Sequence, residues 1–223
     1  SIVDNDRTLT IVKTGSGIGS VVASVGVPST LPGGTIDNAS FPQTFIYEQG
    51  DVVTLTATPD ASPYPGSIFK SWSGDISDPA AVTTVSMDNN KVVIAFFAQQ
   101  YWLRPFVPAP STGSITPGTE VIVEHGTAYT FTIDATLPNY TIVADVLVDG
   151  GSVGSQTIPN SPAVESATYT FTNVTANHTL TAEFDDFGDD CSSAVRVGVP
   201  PFVSTRDGYI YPAGDLEYFQ IDI

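Results

Sequence analysis

Two histidines, His125 and His178, and one cysteine, Cys191, are the side chains of this sequence best suited to act as general base, soft metal ligand or nucleophile near neutral pH. A catalytic triad or a histidine-based metal site would have to be built around one of those imidazoles. His125 stands in Glu124-His125-Gly126, and an earlier stretch reads Glu48-Gln49-Gly50, so the imidazole alternates with an amide at one position of a repeated element. That favours an ordinary turn residue. Glu48 and Glu124 are equivalent in the same way, and pairing them as general acid and base would need one active site shared between two copies; a common structural role is simpler. Cys191 follows Asp189 and Asp190, whose charges raise rather than lower a thiol pKa, so its expected state is unreactive or paired outside this segment. Gly15-Ser16-Gly17-Ile18-Gly19 has the glycine spacing of a phosphate loop, but strand-like sequence follows where a helix N-terminus is required, and a glycine-rich hairpin or bulge is expected instead.

Carboxylates are the chemistry that remains. Asp4 and Asp6 near one end, and Asp185, Asp186, Asp189 and Asp190 near the other, are the candidate metal ligands, with calcium as the ion. Calcium takes six to eight oxygen ligands, and neutralising clustered carboxylates at a domain junction would stiffen it. No EF-hand loop is present, and the competing reading is a solvated acidic hinge. Trp102, with Tyr101 and Arg104, offers either a platform for a sugar ring or a wedge between domains, and the wedge is favoured. Trp72 with Phe69 is expected in a core.

These residues are carried by strands. Val53, Leu55 and Ala57 alternate with Thr54, Thr56 and Thr58, and Tyr129, Phe131 and Ile133 alternate with Thr130, Thr132 and Asp134, the period of a strand with one buried face. The pattern returns at Val92, Ile94 and Phe96 and at Leu180, Ala182 and Phe184, while Gly and Pro punctuate at intervals too short for helices. Turns are expected at Asp88-Asn89-Asn90, whose residues tolerate left-handed backbone between two strands, and, as a hairpin, at Asp149-Gly150-Gly151. The class is all-β: two tandem small β-sandwich or β-grasp-like domains with partial β segments at both ends. Residues 8–98 form the first and 99–185 the second; 1–7 read as the terminal strand of an upstream domain or a donor strand, and 186–223 as an incomplete β segment too short to bury a core alone. A long insert between Val22 and Glu48, rich in Pro and Gly, is a candidate contact surface or a decorative loop.

Composition narrows the function classes. With 24 acidic against 7 basic residues and a net charge of −17, the chain has no basic footprint for nucleic acid, and it repels anionic membrane. No run of about 18 apolar residues spans a bilayer, and any export signal is expected upstream of Ser1. At 41% hydrophobic content the chain is not disordered, and one cysteine excludes an internal disulfide framework.

Residues 8–97 resemble the divergent InlB B-repeats of bacteria. The resemblance rests on Leu9-Thr10-Ile11, Gly15 to Val21, Gly50 to Pro59, Phe69-Lys70-Ser71-Trp72-Ser73-Gly74-Asp75 and Val85 to Lys91. Tyr101 to Phe184 looks like a diverged copy without the Trp-Ser-Gly-Asp element. Ser1 to Asp6 resembles the closing strand of a Calx-β domain, and Gly188 to Ile223, with Ala213 to Phe219, is similar to the first part of bacterial pre-peptidase C-terminal domains. These resemblances imply a bacterial cell-surface or secreted mosaic protein with non-catalytic repeats and no active-site residues to carry over. The expected function is a structural or adhesive module, a spacer or stalk. Alternatives are an accessory segment of a secreted hydrolase, and a filament subunit joined by strand exchange through its terminal segments. Expected partners are neighbouring domains, copies of itself, or a surface glycan or protein.

Overall fold

The computed structural model describes residues 5–25, 34–109, 113–135, 141–153, 166–186, 195–197 and 219–221. In chain order the strands are β1 (Asp6–Thr14), β2 (Gly19–Val25), β3 (Gly34–Ile36), β4 (Gln43–Glu48), β5 (Val52–Pro59), β6 (Ser67–Gly74), β7 (Val82–Ser86), β8 (Lys91–Phe106), β9 (Gly113–Thr116), β10 (Val121–Glu124), β11 (Tyr129–Ala135), β12 (Thr141–Val148), β13 (Gly151–Ser152), β14 (Ser166–Phe171), β15 (His178–Asp186), β16 (Val195–Val197) and β17 (Phe219–Ile221). The fold is all-β. Among the described residues no helix is long and apolar enough to cross a membrane, which leaves strand-built crossing unaddressed.

The chain divides into two compact units. Ser1–Trp102, Ile122–Thr127 and Asn173–Asn177 make up the first; Leu103–Val121, Ala128–Thr172 and His178–Ile223 make up the second. In the first unit, β1 lies between β4, antiparallel, and β8, parallel, and β6 runs antiparallel along β8. A second sheet has the order β3-β2-β5-β7. Leu9, Ile11, Val93, Ala95 and Phe97 from one sheet meet Val21, Ala23, Val53, Leu55 and Val85 from the other, all buried. In β8 the inward row is thus Val93, Ala95 and Phe97, not the Val92, Ile94 and Phe96 that the alternation in the sequence picks out, because both faces of this strand carry apolar side chains. Each of the Val, Leu, Ile and Phe side chains among these buried residues stabilises the fold by about 1.5–3 kcal/mol. Trp72 and Tyr47 are buried in the same core, and Phe69 packs against Trp72 in a tilted arrangement with ring centroids 5.1 Å apart.

In the second unit, β12 pairs antiparallel with β15 and β13, and the Leu103–Phe106 end of β8 runs parallel to β15. Another sheet has the order β14-β11-β9. Phe131, Ile133, Leu180 and Ala182 are buried there.

One turn expectation needs correction. Gly15–Ile18 joins β1 to β2, which lie in different sheets, so it is a crossing connection rather than a hairpin. The Asp88-Asn89-Asn90 turn lies between β7 and β8, as expected, and none of its residues uses the left-handed backbone they tolerate. The β12–β13 turn is the hairpin expected, with φ of 52° at Asp149 and 80° at Gly150.

Candidate functional site

The repeated Glu-x-Gly element folds into the same backbone clasp twice. In the first, Gln49 N donates to Asn5 O (2.9 Å), Gly50 N to Met87 O (3.0 Å), Asp51 N to Glu48 O (3.1 Å) and Met87 N to Asp51 O (2.8 Å). In the second, His125 N donates to Gln99 O (2.9 Å), Gly126 N to Val174 O (2.8 Å), Thr127 N to Glu124 O (3.1 Å) and Val174 N to Thr127 O (3.0 Å). The clasp turns through a glycine with φ of 94° at Gly50 and 80° at Gly126, a region side-chain-bearing residues avoid. Glu48 and Glu124 act here through their carbonyls. His125 is therefore a turn residue: its ring stands 3.5 Å from the Tyr101 hydroxyl, where the first clasp pairs Arg7 Nη2 with Gln49 Oε1 at 2.8 Å.

The correspondence continues beyond the clasp. Thr8 N donates to the Asn90 side chain and Trp102 N to that of Asn177, both at 2.9 Å. The β6–β8 ladder breaks register between Phe69 and Ser71, leaving Lys70 as the extra residue, and the β12–β15 ladder breaks between Val143 and Asp145, leaving Ala144. A bulge at one place in both ladders marks a designed feature of the frame. Asp75 and Asp149 then close the two ladders alike. Asp75 N donates to Val92 O (2.9 Å) and its carboxylate accepts from Val92 N (2.6 Å), while Asp149 N donates to Thr179 O (3.2 Å) and its carboxylate accepts from Thr179 N (2.8 Å). Finally, a Cβ built on Gly19 would come within 2.4 Å of the Phe97 ring, and one on Gly113 within 2.1 Å of the Phe184 ring. The counterpart of Phe184 is thus Phe97, one residue beyond the Phe96 at which the sequence pattern closes the first block.

Within this frame the titratable side chains fall into small local pairs. His178 Nδ1 lies 2.6 Å from Asp149 Oδ2, and its ring stacks on Phe171 with centroids 5.2 Å apart. Partial desolvation pushes the Asp149 carboxyl up, but hydrogen bonds from His178 and the Thr179 amide outweigh it and hold it below its ordinary value. Asp78 is held low by the Ala80 amide and the Thr83 hydroxyl, Asp88 by Lys91, and Asp37 by the Ser40 hydroxyl and its neighbouring amides. These acids cap turns. Lys70 Nζ bonds Glu124 Oε1 at 2.8 Å, with both side chains more than a third exposed. Tyr47 differs from all of these: its hydroxyl is buried with no hydrogen-bond partner among the described residues, and burial, then the Asp51 charge, raise its pKa.

Of the candidate calcium ligands, Asp6 is exposed at the start of β1, Asp185 and Asp186 lie in β15 opposite Ile142 and Thr141, and Asp4, Asp189 and Asp190 lie outside the described residues, as does Cys191. Among the described residues no group of three or more His, Cys, Asp or Glu side chains converges as a metal cage. Trp72 donates its indole N–H to Ala80 O at 2.9 Å inside the first core, and Trp102 is half-buried. The long insert after Val22 contributes β3 and β4, and its Asp37–Ser40 turn is closed by Asp37. An open cleft of about 340 Å³ in the second unit is lined by Pro105, Phe106, Val107, Ser114 and Ile115, without a titratable side chain among them.

The His178–Asp149 contact is the pairing that the sequence reading missed. Its signal was the hairpin Asp149, which occupies the place of Asp75; the Trp-Ser-Gly residues preceding Asp75 are replaced by Val146-Leu147-Val148, and that hid the equivalence.

Comparison with known proteins covers part of the first copy of this frame, leaving out the Leu9–Ile11 and Gly15–Val21 stretches. Residues 29–101 match the divergent InlB B-repeat domain family. A search of curated proteins gave no match. Among solved structures, the minor pilin GBS52 of Streptococcus agalactiae aligns over 89% of this chain and 100% of its own, at 8% identity and a TM-score of 0.27.

Proposed function

We propose that the chain is a tandem pair of β-repeats serving as a non-catalytic structural or adhesive module, a spacer or stalk, of a bacterial surface or secreted multidomain protein. The observation that carries this reading is the twice-built frame, in which the two contacts made by the histidines have counterparts of different chemistry. Asp149 with His178 stands where Asp75 caps the first ladder, and Tyr101 with His125 stands where Arg7 meets Gln49. Frame positions that interchange imidazole with amide, and phenol with guanidinium, are under architectural rather than catalytic demand. The match of residues 29–101 to a repeat family supports the same reading.

Repeats of this kind stabilise by local and neighbour contacts, so they unfold as separate events under load. Pulling the protein by its ends is expected to give two unfolding steps. Each should release about 85–95 residues, roughly 300 Å of extended chain. One step releasing the full length would overturn the tandem reading. A protease or glycosidase domain upstream in the full-length protein would shift the reading to an accessory segment of a secreted hydrolase, and polymers in electron micrographs of the purified chain would shift it to strand exchange at open sheet edges.

A further inference from the structure

One sheet edge is filled in the first copy of the frame and open in the second. The first copy has the sheet β3-β2-β5-β7, and the second has β9-β11-β14, with β9 in the place of β2. Among the described residues no strand stands where β3 stands. The insert that supplies β3 separates β2 from β4, whereas residues 117–120 alone separate β9 from β10. In the first copy Val21 lies opposite Ile36 and Val22 opposite Thr35. Ala57, the partner of Val21 on the other side, donates its N–H to Ala81 O and so turns its backbone toward β7. Backbone groups alternate sides along an antiparallel ladder, so Val21 turns its own N–H and C=O toward Ile36. Ile115 holds the place of Val21, opposite Ile133 of β11, and by the same alternation it offers its N–H and C=O to the open edge.

The packing differs at the same place. Ile36 is fully buried in the first core, and Phe41 and Phe45 of the same insert pack against it. Counted back from the Glu-x-Gly element, the residues at the places of Phe41 and Phe45 are Pro117 and Val121, and Ile36 has no counterpart. The second unit has instead the cleft of about 340 Å³, lined by Gly113, Ser114 and Ile115 of β9 and by Pro105, Phe106 and Val107. Phe106 is 60% exposed. Within β9 there is neither a charged residue nor a proline, the usual guards of a sheet edge.

We infer that the β9 edge takes up an extended peptide of another protein, which supplies the strand that β3 supplies in the first copy. The first copy specifies its chemistry: a small residue, an outward hydroxyl and an inward β-branched side chain, as in Gly34-Thr35-Ile36. Its backbone pairs with Ile115, and its apolar side chain enters the cleft, so main-chain bonds give affinity and the cleft gives selectivity. A charge at the inward position would be buried without a partner. The inference goes beyond the module reading, which stands whether or not a strand is added. Unlike exchange through the terminal segments, it needs no second copy.

NMR titration of the whole, isotope-labelled chain with a capped, uncharged synthetic peptide of residues 31–36 tests it. Saturable shifts are expected at Gly113–Thr116 and Phe106, with slower hydrogen exchange at the Ile115 amide. The same peptide carrying Ile36→Asp should bind at least about tenfold more weakly. In the protein, F106E sets a charge in the cleft at an exposed position and should weaken binding of the original peptide similarly. Absence of saturable shifts, shifts confined to other strands, or equal binding of the Ile36→Asp peptide would overturn the inference. A β9 edge already filled by this chain or by a second copy would take up no peptide, and that result would overturn it as well.

Discussion

Replacing Gly19 with Ala reverses the usual sign of such a change. Gly19 sits in β2, where a Gly→Ala substitution ordinarily stabilises by about 0.4–1 kcal/mol through the unfolded chain. Here the added methyl would stand 2.4 Å from a carbon of the Phe97 ring, and Phe97 is fully buried. Ordinary contact lies more than an ångström further out, so the ring or the strand must move. Overpacking of this kind costs about 1–3 kcal/mol. For a domain of 60–100 residues that lowers the melting midpoint by about 4–8 °C per kcal/mol. G113A meets the Phe184 ring at 2.1 Å and should behave alike in the second unit. Chemical and thermal denaturation of G19A, F97L and the double variant G19A/F97L form a cycle. Shrinking the ring should recover part of the loss, with a coupling energy of about 0.5–3 kcal/mol. A G19A protein as stable as wild type, or more stable, would refute the claim that these glycines exist to seat the closing phenylalanines.

Tyr47→Phe removes a buried hydroxyl that has no partner among the described residues, so stability should be unchanged or rise by up to about 1 kcal/mol; a loss of that size in denaturant titrations would reveal a partner for the hydroxyl. D75A and D149A should each destabilise, and D75N and D149N should retain most of the loss-free stability because an amide oxygen still accepts from Val92 N or Thr179 N; equal damage from Asn and Ala, read from melting curves, would contradict the capping role. Asp37, Asp78, Asp88 and Asp149 are all held below the ordinary 3.8, so their contribution is complete above that value and disappears as the pH falls through the lower folded-state values; melting midpoints should drop on acidification below about pH 4 and hold steady from there toward neutrality. Calcium bound at Asp4 and Asp6 or at Asp185, Asp186, Asp189 and Asp190 would raise the melting midpoint in millimolar Ca²⁺, and an unmoved midpoint removes that site.

The strands were legible because alternation is a local signal: Val53, Leu55 and Ala57 point inward as their spacing requires, and Phe131 and Ile133 do the same, whereas β8 is apolar on both faces and its spacing pointed to Val92, Ile94 and Phe96 where Val93, Ala95 and Phe97 are buried. The Glu-x-Gly repeat marked both clasps for a similar reason, since only glycine suits the backbone at its third position. What escaped were pairings across long sequence separations. Asn90 with Thr8 and Asn177 with Trp102 bridge 82 and 75 residues, and nothing in either neighbourhood announces the partner. The identity of Asp149 with Asp75 was masked because burial at Trp72 and Val146 is served by very different side chains, while the carboxylate three residues on does the same work. The Gly15–Ile18 connection differs from the expected hairpin or bulge because glycine density reports a turn but not which sheet the next strand joins.

The register slip shared by the β6–β8 and β12–β15 ladders releases one residue per copy from all pairing obligations. Lysine fills that vacancy in one case and alanine in the other, with the surrounding bonds unaltered. Such a position answers to no cross-strand partner, and only a side-chain contact such as that of Lys70 with Glu124 ties it to the template. Evolution, or an engineer, can exchange its side chain to create or erase an adhesive contact without renegotiating the architecture beneath it.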